Sequence, residues 1–329
     1  MGPNMKLGPA LLLSLLPLAT LVGCAAETTN DPQVADSAED LTGRSNNGYF
    51  VVTHRDLRRC VSPICGGYFV KRVNQAKTVC VDGSLQDECY VSDITFGGVG
   101  LSAREESELR DAVVSGKALV KARLYKHTFN GSTLATLKAT EGWLGATGSA
   151  ATGTIYRGAD NGIRCIKAPC PSITAYGLNG ADSHNVIDVR LDSTATPADA
   201  DVLASAETAL STKDGILFAG GIALPKCVVG SACGPIAIAT EFYVRVTHTE
   251  GKSCGGRGMG TCGGSQYCSW TTANICGAAD AAGSCAYAPD LCYQLVLPVC
   301  GCDGKTYNND CMAHAARTSV SSTSACAHP

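Results

Sequence analysis

Nineteen cysteines occur in a chain of 329 residues, and they are the residues with most chemistry to offer. A thiol can bind metal, exchange electrons, accept an acyl group or close a disulfide, and spacing decides among these uses. No Cys-x-x-Cys pair is present and the six histidines are scattered. Metal-ligand spacing and a helix-start redox pair are both missing, so no metal and no cofactor is expected. With Cys24 set aside, eighteen cysteines remain: Cys60, Cys65, Cys80, Cys89, Cys165, Cys170, Cys227, Cys233, Cys254, Cys262, Cys268, Cys276, Cys285, Cys292, Cys300, Cys302, Cys311 and Cys326. A dense, even set in an exported chain is a disulfide framework. Cys60 with Cys65, and Cys165 with Cys170, lie close together beside prolines and read as local staples, while spacing leaves the connectivity as a whole open.

Other chemistries find little footing. Gly98-Val-Gly100-Leu-Ser-Ala103 sits where a dinucleotide fingerprint would, but the acid expected about twenty residues later is missing, so it reads as a strand-to-helix turn. Gly251-Lys-Ser253 has no upstream glycine at P-loop spacing, and neither Gly-x-Ser-x-Gly nor His-Glu-x-x-His occurs. Nothing points to an enzyme. Asn130-Gly-Ser132 matches a glycosylation sequon and reads better as a turn. A net charge of −3 without a basic tract gives nucleic-acid binding no electrostatic support.

The N-terminus fixes the expected compartment. Lys6 precedes an apolar run from Leu11 to Leu21, too short for a convincing span and suited to a signal peptide. The run ends in Leu21-Val22-Gly23-Cys24, which resembles a bacterial lipobox, in which the cysteine thiol accepts diacylglycerol. Cys24 is the expected lipid attachment and the membrane contact. Ala25 after it resembles lipoproteins destined for the outer membrane, with the periplasmic or surface face left open. Ala25 to Asn47 is polar and acidic, with almost nothing to bury, and reads as a flexible tether.

Near the other end stands Cys292-Tyr-Gln-Leu-Val-Leu-Pro298-Val-Cys300-Gly-Cys302-Asp-Gly304-Lys-Thr-Tyr307-Asn-Asn309-Asp-Cys311, followed by Cys326. The gap between Cys292 and Cys300, the Pro-Val-Cys-Gly run, the Asp-Gly turn and Thr-Tyr-x-Asn-x-Cys resemble a Kazal-type serine protease inhibitor module. The resemblance covers only about the last 45 residues. It implies a rigid convex loop that enters a serine protease like a substrate, with Gln294 as specificity residue and Gln294–Leu295 as the scissile bond. Tyr293 and Val296 would flank it. Asn309 would brace the loop backbone, and Tyr307 would pack beneath it. The resemblance also implies Cys292–Cys311 and Cys300–Cys326 pairs. The family's fifth cysteine is missing, with His314 in its place, and Cys302 is extra. Cys302 is therefore expected to take over as partner of Cys285. A second reading is a follistatin-like structural or adhesive binding protein without inhibitory activity, since fold does not fix function.

The elements that must carry these sites come from the long middle of the chain. Arg59-Cys60-Val-Ser-Pro-Ile-Cys65, with Tyr68 and Asn74 beyond it, aligns without gaps onto Arg164-Cys165-Ile-Lys-Ala-Pro-Cys170, with Ile173 and Asn179. Pro225-Lys-Cys227 to Cys233 is a looser third copy. Such self-similarity suggests duplication of one supersecondary unit. Cys89–Phe96 alternates as a strand, Ser102-Ala-Arg-Glu105 opens a helix as a capping box, and Asn130-Gly131 signals a hairpin. In the second unit Val186–Leu191 is the strand and Thr196-Pro197 caps a helix to about Leu210. This region is similar to an uncharacterised domain of bacterial lipoproteins, which implies no activity.

The expected class is thus an α+β duplicated-repeat domain followed by a small disulfide-rich region ending in a Kazal-like module. The expected boundaries are 1–23 signal peptide, 24–47 tether, 48–148 first repeat and 149–250 second repeat with the partial third Cys motif. After these come a Cys-rich knot over 251–284, built on Cys254, Cys262, Cys268 and Cys276, and the Kazal-like module over 285–329.

Overall fold

A computed structural model describes residues 1–2, 47–224, 233–263 and 265–327, without the side chains of 272–275. The expected signal peptide from residue 3 on, Cys24, the expected tether up to residue 46 and Cys227 lie outside the described residues. The first stretch contributes β1 (Asn47–Arg55), β2 (Tyr68–Arg72), β3 (Thr78–Val79), β4 (Leu85–Gln86), β5 (Cys89–Val91) and β6 (Asp93–Thr95). It continues with α1 (Ala103–Val114), β7 (Ala118–Phe129) and β8 (Ser132–Gly145). The second contributes β9 (Thr154–Asp160), β10 (Ile173–Gly177), β11 (Ser183–Val186), β12 (Asp188–Arg190), α2 (Ala200–Leu210), β13 (Ile216–Ala223) and β14 (Ile236–Val246).

These strands form one large sheet, not an α+β duplicated repeat. The order is β11-β10-β9-β13-β14-β8-β7-β1-β2-β5, mostly antiparallel. β8 and β14 pair directly through Leu144↔Val244 and Trp143↔Arg245, so the two stretches share a single ladder. Alternating strand and helix signals suggested layered α+β units. Parallel pairing is in fact confined to the three-residue strands β6 on β8 and β12 on β14, and the rest of the sheet grows by antiparallel hairpins and ladders. The longest hairpin turns at Asn130-Gly131, both with positive φ, as a primed two-residue turn requires.

Two expected strands are each broken in the middle. The run Cys89–Phe96 splits at Ser92, whose backbone N–H and hydroxyl both donate to the Ala135 carbonyl. On one side of that switch β5 pairs with β2, and on the other β6 pairs with β8. Val186–Leu191 splits at Ile187 in the same way, with its N–H on the Pro235 carbonyl. The helix expected from Thr196 begins at Ala200, because the Thr196 N–H donates to Ser149 Oγ and its carbonyl accepts the Thr194 hydroxyl in a preceding turn.

Burial follows the period-two alternation of the strands. Phe50, Val120 and Leu137 point to one face with Leu109 and Val113 of α1. Phe218 and Phe242 share their cluster with Ala206 and Leu210 of α2. Their neighbours Tyr49, Leu119, Trp143, Leu217 and Tyr243 form a third cluster on the opposite face.

Two small sheets follow. β15 (Ser253–Cys254), β16 (Gln266–Ser269) and β17 (Gly283–Tyr287) are ordered β15-β17-β16. Then β18 (Val299–Gly301), β19 (Thr306–Tyr307), α3 (Asp310–Ala315) and β20 (Val320–Ser322) give a β19-β18-β20 sheet. Cys285 lies in β17, between β15 and β16, so it belongs to the knot and not to the module after it. Among the described residues, no helix is long and apolar enough to cross a membrane.

Candidate functional site

The candidate site is the segment between Cys292 and Cys300. It has no regular secondary structure through Pro298 and then enters β18. Tyr293, Leu295 and Val296 are 50%, 58% and 64% exposed, and Gln294 is exposed between them. Large apolar side chains kept in water at consecutive positions need another explanation than the core. The segment is tied at both ends by Cys292–Cys311 and Cys300–Cys326.

Asn309 holds the middle. Its side chain is 1% exposed, and its Nδ2 donates to the Tyr293 carbonyl at 3.0 Å and the Leu295 carbonyl at 2.7 Å. The two carbonyls belong to the 293–294 and 295–296 peptide units, so one buried amide holds the units before and after the Gln294–Leu295 bond. The Asn309 Oδ1 accepts from Met312 N–H at 2.9 Å, which makes the same residue the N-cap of α3. The Leu297 N–H donates to the Asn308 carbonyl at 2.7 Å. Tyr307 pairs with Val299 at the exit of the loop and packs against Val299, Ala313 and Val320. Its hydroxyl donates to Asp303 Oδ2 at 2.8 Å. Burial, reinforced by the Asp303 carboxylate, pushes the Tyr307 hydroxyl pKa up.

Asp310 is a loop support that the sequence did not reveal. Its carboxylate accepts the Tyr293 hydroxyl. That bond lowers the Asp310 pKa and raises that of Tyr293. An acid after the bracing asparagine carries no motif of its own, so only the fold brings the two together.

The expected Cys285–Cys302 pair is not formed. Cys262 bonds Cys285 and Cys276 bonds Cys302, while Cys254–Cys268 closes within the knot. The pairing follows position: Cys285 is central in the knot's sheet, and Cys276 lies in a 3-10 helix over Thr272–Asp280 that packs beside β20. The sulfurs of Cys254, Cys262 and Cys268 lie within 4.8 Å of one another, but all three belong to these disulfides. His314, at the position of the missing cysteine, stacks on Tyr267 of the knot with ring centroids 4.8 Å apart. Burial lowers its pKa against the pull of Asp310. Ser319 Oγ accepts the Trp270 N–H and donates to the Trp270 carbonyl. A ring stack, a disulfide and a hydroxyl thus join the module to the knot.

Helix α1 carries both. Its capping-box residue Glu105 accepts from Ser102 N–H, His248 Nδ1, Thr249 N–H and Glu250 N–H, and from Gln266 Nε2 of the knot. The Arg104 guanidinium lies 4.3 Å over the Tyr287 ring and reaches Asp290, two residues before Cys292. The loop itself is therefore held out on a stapled base fixed to the large sheet.

The two expected staples, Cys60–Cys65 and Cys165–Cys170, form within the sheet domain, and Cys80–Cys89 forms beside them. Cys233 is disulfide-bonded, and Cys227 of the looser third copy is outside the described residues. Eight disulfides are described in all.

Comparison with known proteins bears on the large sheet. No curated protein and no solved structure matches the chain. One family model does match, over residues 49–249, a span that runs from the third residue of β1 through β14 and takes in the two helices packed on them. The chain therefore belongs to the family of the domain of unknown function DUF6748.

Proposed function

We propose that this is an exported protein, anchored to the outer membrane by lipid on Cys24, whose C-terminal loop binds serine proteases as a tightly held substrate at Gln294–Leu295. The observation that carries the reading is the Asn309 amide on the carbonyls of Tyr293 and Leu295. A peptide bond offered to a protease is normally cleaved because its products leave. One that is clamped on both sides and tied by two disulfides keeps its new termini aligned, so religation competes with release. The same rigidity means little conformational entropy is lost on binding. Gln294 offers an amide where a trypsin-like pocket needs a cation, so the natural target has a pocket for a neutral side chain. The eight disulfides support an exported location.

The test is inhibition of a panel of serine proteases by the full chain. The reading expects slow, stoichiometric inhibition of at least one, with a single reversible cut between Gln294 and Leu295 seen by mass spectrometry. Absence of inhibition across the panel, with all disulfides mapped in place, would leave the loop as an adhesive surface. For the anchor, Cys24→Ser should move the protein from the membrane to the soluble fraction, and unchanged membrane partition would count against it.

A further inference from the structure

The face of the large sheet turned away from the helices carries a concavity of about 350 Å³. Lys121, Arg123 and Tyr125 of β7, Lys138 and Glu141 of β8, and Arg245 of β14 line it, beside Asn47 at the start of β1. Among the described lining residues, four cations face one carboxylate, a balance of +3 in a chain whose total is −3. That carboxylate is shared: Glu141 lies 3.7 Å from Lys121 and 3.8 Å from Arg245, and its other oxygen accepts the Trp143 indole N–H.

Arg123 and Lys138 are left out of that arrangement. They face each other directly across the β7–β8 ladder. Like charges at such a position destabilise a sheet, since the side chains stand about 5 Å apart at their bases. Among the described residues, neither has a carboxylate partner. Their contacts are with the Tyr125 ring, at 5.7 Å from the Arg123 guanidinium and 4.3 Å from the Lys138 ammonium. An exposed tyrosine holds the two cations in place without neutralising them.

We infer that this concavity is a binding site for a multiply charged anion of the phosphate type. Guanidinium forks match the oxygens of a phosphate or sulfate, and ammonium groups serve as point charges beside them. Because the cations are spread over three strands, a group with two or more closely spaced phosphates fits better than a single one. A bound anion would offset the Arg123–Lys138 repulsion, which gives the ligand-free sheet a reason to accept it. The source is a soluble polyphosphate or the phosphorylated headgroup of a lipid, and the chemistry at the site is the same.

The experiment uses the full chain with Cys24→Ser, so that no acyl anchor contributes. Tripolyphosphate is titrated into it calorimetrically at low salt. In a second arm, vesicles of phosphatidylcholine with or without cardiolipin, whose headgroup joins two phosphates, are sedimented with it. Saturable binding of one tripolyphosphate per chain is expected, weakening steeply with added salt. Arg123→Gln with Lys138→Gln should weaken it about tenfold or more, the loss expected for two charge-assisted contacts. That variant should melt no lower than the parent, because it removes a repulsive pair, and Lys305→Gln on the distant module should bind unchanged. Binding to tripolyphosphate that the double variant loses supports a site for the phosphates themselves. Binding confined to cardiolipin vesicles and lost in the same variant supports a lipid source. Binding in neither arm, or binding that survives the double variant, overturns the inference.

Discussion

Asn74 and Asn179 exchange clamps across the sheet domain. The Asn74 side chain bonds both backbone groups of Ile155 at the start of β9, donating to its carbonyl at 2.7 Å and accepting its N–H at 2.9 Å. Asn179 does the same to Tyr49 of β1, with its Nδ2 on the carbonyl at 2.8 Å and its Oδ1 accepting the N–H at 2.9 Å. Both residues have a positive φ, a conformation asparagine tolerates better than most. Each sits just past the second strand of its own stretch and reaches into the other stretch's first strand, so the clamps close only when the whole sheet has formed.

Loss of the Asn179 clamp should therefore be felt globally. Asn179 is 2% exposed, and Asn179→Ala leaves the Tyr49 N–H and the carbonyls of Tyr49 and Val73 without its amide. The Tyr49 carbonyl keeps the Val73 N–H, so the loss falls on the Tyr49 N–H and the Val73 carbonyl and should be about 2–3 kcal/mol. Chemical denaturation should show that loss, with a smaller one for the more exposed Asn74→Ala. Equal, small effects of both would contradict the buried-clamp account.

Glu105 predicts a pH dependence. Its carboxyl is held at about 2 against an ordinary 4.5. Burial pushes it up, but hydrogen bonds from Thr249 N–H, His248, Ser102 N–H and Glu250 N–H outweigh burial. A depressed value in the folded state means that this stabilisation is fully present above about 4.5 and is lost as the pH falls from there towards 2. Glu105→Gln should lower stability by about 2 kcal/mol at neutral pH, as expected for loss of a charged acceptor. The difference between parent and variant should shrink over that acidic window. A difference that stays constant with pH would contradict the assignment.

Cys276–Cys302 joins the knot to the module across a separation of 26 residues. Replacing both by serine should cost the C-terminal region about 3 kcal/mol. The Tyr267–His314 stack and the Ser319–Trp270 bonds should keep the two pieces in contact, so the region should loosen without unfolding. Peptide mapping of the unreduced protein should recover Cys276–Cys302 and Cys262–Cys285. Recovery of a Cys285–Cys302 peptide would contradict the arrangement described above.

Asn309 has two roles that substitution can separate. Asn309→Asp keeps an oxygen for the N-cap of α3 but removes the donor to Tyr293 and Leu295. Asn309→Ala removes both and should cost the helix about 1 kcal/mol more. Both should speed cleavage of the loop by any protease that accepts it, and only the alanine variant should lower the helix's hydrogen-exchange protection. Unchanged cleavage in both would argue against the brace.

Much of this was legible where the chemistry is local. The Ser102–Glu105 capping box, the Asn130-Gly131 turn and the Cys60–Cys65 and Cys165–Cys170 staples depend on neighbours within a few residues. The Asn309 contact with the loop backbone and the Cys292–Cys311 and Cys300–Cys326 pairs follow what the Kazal resemblance implied. The single antiparallel sheet was not, because the β8–β14 pairing and the breaks at Ser92 and Ile187 are decided by partners far away in sequence. The partner of Cys302 was hidden for the same reason. Asn74 and Asn179 were aligned as equivalent positions, yet nothing in either sequence neighbourhood reveals that each reaches for the other stretch.

The central claim is that Gln294 lies at the point of a protease-binding loop, and Gln294→Arg tests it most directly. The substitution places a guanidinium where the trypsin pocket holds a carboxylate, an ion pair worth several kcal/mol or on the order of a thousandfold in affinity. Trypsin inhibition constants should be measured for the full chain and the variant, with disulfides verified in both. The account predicts weak inhibition by the parent and inhibition about a thousandfold tighter by the variant. No trypsin inhibition by the intact, fully oxidised variant would contradict it.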